Sequence, residues 1–118
     1  MKLSGFVDFL SPKEILGWAF NANSLYKPTQ LDILVDRENE TTIVANIPRK
    51  DILNRQVHPT GLCGFSYSFK NELKPETVVN LRTSVFKKKL NEKPLIIKDG
   101  KGYQLKTLII GMPKSGTT

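Results

Sequence analysis

The feature that most constrains this fold is a regular alternation of short apolar runs and turn-forming residues over residues 4–84. The runs are rich in β-branched and aromatic residues, and turn formers interrupt them about every 8 to 12 residues, a spacing typical of antiparallel sandwiches and barrels. We therefore predict a mainly β fold, an antiparallel β-sandwich of about seven strands with one short helix.

The predicted strands follow these runs along the chain. They cover residues 5–10, 15–21, 31–35, 41–45, 65–69, 77–86 and, weakly, 95–97. The third and fourth form a hairpin closed by the polar run Asp36-Arg37-Glu38-Asn39-Glu40, since five polar residues between two apolar runs cannot be buried.

Strand alternation predicts which side chains share a face. In the second strand Leu16, Trp18 and Phe20 lie on one side. Phe65, Tyr67 and Phe69 form an aromatic face in the fifth strand, either as interior residues or as a platform for a ligand. The sixth strand places four residues on one face, namely Val79, Leu81, Thr83 and Val85.

Trp18 is the residue whose role has the most distinct alternatives. A buried indole would anchor the core of the sandwich, whereas an exposed one would stack on a pyranose ring. We keep Trp18 as a candidate ligand-binding residue on the second alternative.

The segment between the fourth and fifth strands carries several polar and reactive groups. Residues 48–54 predict a short helix or 3₁₀ turn with a proline near its start, ordered by local ion pairs among Arg49, Lys50 and Asp51. Residues 57–64 predict a loop, since one proline and two glycines oppose regular structure, and His58 is expected to be exposed in it. Cys63 has no adjacent base visible in the sequence, and a reactive thiol is only an alternative.

The single cysteine and the single histidine limit the chemistry available. One cysteine excludes an internal disulfide framework and a cysteine-based zinc site, and we expect no metal. The N-terminus lacks the unbroken apolar stretch of a signal peptide, and no window is long enough to span a bilayer. These features predict a cytoplasmic chain with no membrane span.

The net charge of +7 is concentrated in the last third of the chain. Residues 1–81 hold nine basic and nine acidic side chains, whereas residues 82–118 hold nine and two. We interpret residues 87–104 as a basic linker, whose lysines are solvated or attract an anionic donor or acceptor. Nucleic acid is not an expected partner, because the chain has no helix-turn-helix pattern and no zinc spacing.

The strongest chemical signal is the run Leu108-Ile109-Ile110-Gly111-Met112-Pro113-Lys114-Ser115-Gly116-Thr117-Thr118. A β-branched strand leading into a Gly-containing loop with Lys, Ser and Thr is typical of a phosphate-binding turn. The Walker pattern fails, because Thr117 stands where it requires lysine and the lysine lies three residues earlier. Nucleoside triphosphate hydrolysis is therefore disfavoured.

This terminal run resembles the start of a sulfotransferase domain, whose PKSGTT loop binds 3′-phosphoadenosine 5′-phosphosulfate. The resemblance implies that Lys114 contacts the phosphosulfate as the catalytic cation, and that the loop residues hold the 5′-phosphate. The loop consists of Pro113, Lys114, Ser115, Gly116, Thr117 and Thr118.

A second resemblance covers residues 5–69, which are similar to a β-sandwich module found beside glycosyltransferase and sulfotransferase domains in bacterial surface-polysaccharide proteins. It is carried by residues 5–8, 17–21, 28, 31–36, 45, 49–52 and 61–65. Asn21 stands where that module has aspartate.

Together these features predict three parts. Residues 1–86 form the β-sandwich module, residues 87–104 the linker, and residues 105–118 the first strand and phosphate loop of a truncated α/β domain resembling a P-loop domain. The expected parent is a sulfotransferase that acts on a hydroxyl or amine, with carbohydrate as the expected acceptor, and the 118 residues alone are expected to be inactive. The alternative is a non-catalytic β-sandwich that binds a glycan or a partner domain.

Overall fold

The computed structural model describes residues 2–91, 93–97 and 103–104. Within them the chain is mainly β, with one short helix. The elements are β1 (Leu3–Leu10), β2 (Glu14–Asn21), β3 (Thr29–Val35), β4 (Glu38–Ala45), β5 (Ile47–Pro48), α1 (Lys50–Asn54), β6 (Leu62–Ser68), β7 (Val78–Thr83), β8 (Leu95–Ile96) and β9 (Tyr103–Gln104).

The strands form two antiparallel sheets. Among the described residues, the first has the order β5-β6-β2-β1-β9 and the second has the order β4-β3-β7-β8. β1 and β2 are neighbours in sequence and pair along nearly their whole length, as do β3 and β4. The prediction of a mainly β, antiparallel fold with one short helix is confirmed at this level.

One apolar cluster draws buried residues from both sheets. Ile15 and Phe65 come from the first sheet, and Ile33 and Leu81 come from the second. Of the two alternatives for Phe65, Tyr67 and Phe69, the structure favours the interior one, since Phe65 and Phe69 are buried and Tyr67 packs against the same cluster.

A second, smaller cluster lies on the other face of β2. Alternation along β2 sends Ile15 and Ala19 into the main cluster and Trp18 and Phe20 into the second one, so the strand is covered on both sides. α1 supplies Ile52, which is fully buried in the second cluster. This explains why a five-residue helix is stable here: it packs an apolar residue on the sheet.

The β3–β4 hairpin is tighter than the sequence predicts. The connection is the pair Asp36-Arg37, both with positive φ (49° and 74°), and β4 already begins at Glu38. Two positive-φ residues make a turn whose twist matches the flanking strands. The predicted five-residue polar loop was wrong because β4 lies partly in water, so its polar residues can remain in the strand.

The end of β7 and the segment after it also differ from the expectation. Val79, Leu81 and Thr83 are buried on one face, but β7 ends at Thr83, and Val85 is 74% exposed in the following turn. Beyond Phe86 the chain still packs on the sheets, since Asn91 Oδ1 accepts the Leu81 amide at 3.0 Å and β8 pairs with β7. Ile97 is fully buried, so the packed region continues to that residue.

Candidate functional site

The predicted donor loop lies outside the described residues. Pro113, Lys114, Ser115, Gly116, Thr117 and Thr118 all fall beyond residue 104, as does the strand predicted before them. The sites that can be built from the structure are therefore those of the two sheets and their connections.

Trp18 lies in the second apolar cluster and is 1% exposed. Its ring stacks near that of Phe20, with centroids 5.8 Å apart and an interplanar angle of 23°. The indole Nε1 has no hydrogen-bond partner among the described residues. Neither face of the indole is exposed, so a sugar would stack on it only if this packing opened.

The Arg49 side chain joins α1 to three strands of the first sheet, β1, β2 and β6. Its Nε and Nη2 donate to the two carboxylate oxygens of Asp51 at 2.9 and 2.7 Å, and Nη1 donates to Asp8 Oδ2 at 2.8 Å. Nη1 also lies 3.3 Å from the carbonyl oxygen of Gly17. The side chain passes over Gly64, where an added Cβ would lie only 2.8 Å from Arg49 Cγ.

This arrangement makes Arg49 a structural residue rather than a ligand-binding one. Although burial favours its neutral form, the two carboxylates more than compensate and raise the pKa of the guanidinium. The same contact lowers the pKa of Asp51. The predicted local ion pair between Arg49 and Asp51 is confirmed, and Asp8 is a further partner that sequence proximity could not indicate.

His58 is buried, at 3% exposure, so its predicted exposure was wrong. Nε2 lies 2.7 Å from the carbonyl oxygen of Leu25, which fixes the Nε2–H tautomer as the donor. Nδ1 then accepts the amide N–H groups of Gly61 at 3.1 Å and Thr60 at 3.3 Å. The ring also packs edge-on against Phe20. All ring functions thus hold two loops together, and none is available for catalysis.

Cys63 is fully buried in the second cluster. Burial disfavours the thiolate and raises the pKa of the thiol to about 11. The Cys63 side chain is therefore a small apolar group in the core, and the structure does not favour the alternative of a reactive thiol.

Asp32 is the most buried acidic side chain among the described residues, at 3% exposure. Oδ1 accepts hydrogen bonds from the hydroxyls of Thr42 and Ser84, both at 2.8 Å. Oδ2 faces Arg82 Nε at 3.4 Å and Lys87 Nζ at 3.3 Å. Burial raises the pKa of the carboxyl, but these four donors together outweigh that effect and hold its pKa below the ordinary value.

The Asp32 contacts fix the turn over residues 84–88, which we call the β7 turn. Ser84 N donates to the Gln30 carbonyl at 3.1 Å, and Lys87 N donates to the Thr83 carbonyl at 2.9 Å. Ser84 and Lys87 are both bound to Asp32 and flank Val85 and Phe86, whose side chains are 74% and 65% exposed. The turn therefore displays two apolar side chains in a fixed position.

A groove of about 400 Å³ lies between the β7 turn and the connection from β2 to β3. Its lining combines amide, hydroxyl, ammonium and apolar groups from both segments, including Asn21, Ser24, Lys27, Gln30, Val85 and Phe86. None of the described residues that line it carries a carboxylate. Asn21 Oδ1 accepts the Asn23 amide at 2.9 Å, so the neutral side-chain amide makes the local turn contact.

Sequence reasoning did not identify the groove or the role of Asp32. Asp32 lies between Leu31 and Ile33 in the sequence. A charged residue within such an apolar run is a signal that its carboxylate needs partners. Its partners come from residues 42 and 82–87, whose proximity follows from the pairing of β3 with both β4 and β7.

Two negative findings concern the described part of the chain. It contains no group of three His, Cys, Asp or Glu side chains placed to hold a metal ion. It also has no helix with the length and apolar character that crossing a membrane requires.

Comparison with known proteins gives no relative for this chain: no family model, no curated protein and no solved structure matches it.

Proposed function

We propose that this chain belongs to a sulfotransferase that moves a sulfuryl group from 3′-phosphoadenosine 5′-phosphosulfate to a carbohydrate hydroxyl or amine. The observation that carries the proposal is the sequence of residues 108–118, an apolar β-branched run followed directly by Pro-Lys-Ser-Gly-Thr-Thr. A solvated linker needs no buried-type strand before it, whereas a phosphate-binding loop does.

The chemistry of sulfuryl transfer requires what this loop offers. The bond between sulfur and the bridging oxygen of the donor breaks, a bond from sulfur to the acceptor oxygen or nitrogen forms, and the 5′-phosphate leaves with increased negative charge. A fixed cation at Lys114 and hydrogen-bond donors from residues 115–118 stabilise that charge more in the transition state than in the ground state. The acceptor proton passes to a base that these 118 residues do not identify.

The two sheets supply a separate β-sandwich module in this proposal. Among the described residues, the members of their main apolar cluster come from residues 3–97 and from both sheets. The excess positive charge over residues 82–118 lies on the approach to a loop whose ligand is an anionic nucleotide, which favours encounter with that ligand.

The proposal is tested by the coding region and by activity. We expect the reading frame to continue past the Thr118 codon into a helix, and a stop codon there would overturn the proposal. The product of the complete reading frame is then incubated with ³⁵S-labelled donor and a mixture of desulfated polysaccharides. We expect label transfer by the unaltered protein and a loss of about a hundredfold in the rate for Lys114→Ala.

Lys106→Ala is the matched control, because it removes the same charge eight residues before Lys114 and outside the predicted loop. Equal losses in the two variants would reduce Lys114 to a contributor of general positive charge and contradict its assigned role. Transfer that is unaffected by Lys114→Ala would contradict the donor loop itself.

The alternative, a non-catalytic module that binds a glycan, is favoured by one observation, namely the groove beside the β7 turn with its exposed Phe86. Glycan binding without any transfer of label would favour this alternative over the enzyme.

A further inference from the structure

We infer that the groove between the β7 turn and the β2–β3 connection is a binding site for an anionic glycan. The inference deepens the proposed function, because it names an anionic glycan as the class of carbohydrate acceptor. The role of the glycan as acceptor rests on the proposed function, whereas its binding is inferred from the residues of the groove.

Contacts with Asp32 hold the apolar wall of the groove in place. Val85 and Phe86 are held between Ser84 and Lys87, both of which bind the buried Asp32 carboxylate. The Thr83 hydroxyl also accepts the Lys88 amide at 3.0 Å, which closes the turn. A preorganised wall loses little conformational freedom when a ligand binds, so its exposed area contributes to affinity.

The lining of the groove offers the chemical groups that suit a sugar. Phe86 offers an aromatic ring that is 65% exposed, and a flat apolar surface suits the apolar face of a sugar ring. The side-chain amides of Asn21 and Gln30 and the hydroxyl of Ser24 line the groove. Each of these groups can donate and accept hydrogen bonds, as sugar hydroxyls do. A concave site with apolar walls and a few polar groups is the usual form of a small-ligand site.

The charge of the groove and its surroundings is positive. Lys27 lines the groove, whereas the Lys87 ammonium in the β7 turn already faces the Asp32 carboxylate. No described residue lining the groove is acidic, and residues 21–30 and 83–89 contain three lysines besides Lys87 and no carboxylate. A carboxylated or sulfated sugar therefore complements the site better than a neutral one.

The shape distinguishes a glycan from a membrane surface. Insertion into a lipid interface favours a protruding apolar face with the polar groups set behind it. Here Val85 and Phe86 form one wall of a groove whose other lining residues include Asn21, Ser24 and Gln30, so a ligand in the groove meets apolar and polar groups together.

The test measures binding of two defined probes to the full 118-residue chain by calorimetry and by ¹H–¹⁵N chemical-shift changes. The probes are a galacturonic acid oligosaccharide and a chondroitin sulfate oligosaccharide of matched length, and the neutral comparison is a malto-oligosaccharide. We expect at least one anionic probe to bind with shifts confined to residues 21–30 and 83–89, and the neutral sugar to bind at least about fivefold more weakly.

Four variants separate the groove from the rest of the surface. Phe86→Ala and Lys27→Gln are expected to weaken binding at least about fivefold each. Leu53→Ala and Lys50→Gln remove an exposed apolar group and an exposed charge from α1, and are expected to change it by less than about twofold. All four side chains are exposed, and urea unfolding checks that each variant remains folded.

Several results would overturn the inference. They are the absence of binding to both anionic probes, equal losses in the groove and α1 variants, and equal binding of inorganic polyphosphate with no effect of Phe86→Ala. Binding to phosphatidylglycerol vesicles that depends on Phe86, without glycan binding, would assign the groove to a membrane surface instead. Because no nucleotide is present, failure of this test leaves the Lys114 experiment unaffected, and failure of that experiment leaves glycan binding intact.

Discussion

Arg49 and Asp8 are 41 positions apart in sequence, yet Nη1 of the arginine donates to Oδ2 of the aspartate at 2.8 Å. The arginine immediately precedes α1, and the aspartate lies in β1, so this contact attaches the helix to the first sheet. Because Asp51 accepts two further hydrogen bonds from the same guanidinium, a single side chain fixes the position of α1.

Replacing Arg49 therefore tests how α1 is held. We expect Arg49→Ala to lower the free energy of unfolding by about 2 to 3 kcal/mol, because Asp8 loses a charged partner at a half-buried position. Arg49→Lys keeps the charge but not the planar fork, and we expect it to recover less than half of that loss. Urea unfolding measures both values, with exposed Lys50→Ala as the control. A change below about 0.5 kcal/mol for Arg49→Ala would contradict this role.

His58 gives a prediction that separates ring shape from hydrogen bonding. His58→Phe keeps an aromatic ring beside Phe20 but leaves the Leu25 carbonyl and two amide N–H groups without their partner. We expect a loss of about 2 to 4 kcal/mol in the free energy of unfolding. Pro59→Ala, at the exposed neighbouring position, is the control for disturbance of the loop. If the phenylalanine variant is as stable as the unaltered protein, the hydrogen bonds of the ring do not stabilise the loop.

Acid stability depends on Asp32. Its pKa is lower in the folded protein than the ordinary 3.8, so the unfolded chain binds the proton more readily as the pH falls. The stabilisation is therefore complete above that value and is lost as the pH falls through the folded pKa. We expect Asp32→Asn to cost about 2 kcal/mol at pH 7, and its deficit relative to the unaltered protein to shrink below pH 3.8.

Urea titrations at a series of pH values measure this deficit. Glu38→Gln, which changes an exposed carboxylate, serves as the control and should follow the unaltered protein throughout. A deficit for Asp32→Asn that stays constant across the acid range would show that the charge on Asp32 does not stabilise the fold.

Cys63 should be inert toward thiol reagents while the protein is folded. The pKa of about 11, compared with an ordinary 9.0, leaves about a hundredfold less thiolate at neutral pH, and the side chain is fully buried. Reaction with a disulfide reagent is followed by absorbance. Ser66→Cys in a Cys63→Ala background provides an exposed thiol on the same strand, and it should react at the rate of a free thiol. Equal rates for the two thiols would contradict the burial of Cys63.

The sequence was sufficient for those features of the fold that depend on strand periodicity. Alternation grouped Phe65 with Phe69 on one face, and it grouped Trp18 with Phe20 on one face of β2. These predictions succeed because a strand's side chains must alternate, whatever packs on either face. What covers the second face of β2 was not predictable, since it depends on α1, whose Ile52 is a single apolar residue in a polar segment.

Two features were not predictable from the sequence because they depend on contacts with other segments of the chain. His58 is buried and hydrogen-bonds to the carbonyl of Leu25, 33 residues away. Asn91, in a lysine-rich segment, accepts a hydrogen bond from the amide of Leu81. Local composition predicts solvent exposure for both residues, and only contacts with other segments override that preference. The groove belongs to the same category, since its two walls are separated by more than fifty residues.

The most direct test of the donor loop is the affinity of the protein for its nucleotide product, 3′-phosphoadenosine 5′-phosphate. Calorimetry is performed on the product of the complete reading frame in three forms: unaltered, Lys114→Ala and Lys106→Ala. We predict that Lys114→Ala weakens binding at least about tenfold while Lys106→Ala changes it by less than about twofold. Binding that is equally strong in all three forms, or no binding by the unaltered protein, would contradict the assignment of residues 113–118 to the sulfate donor.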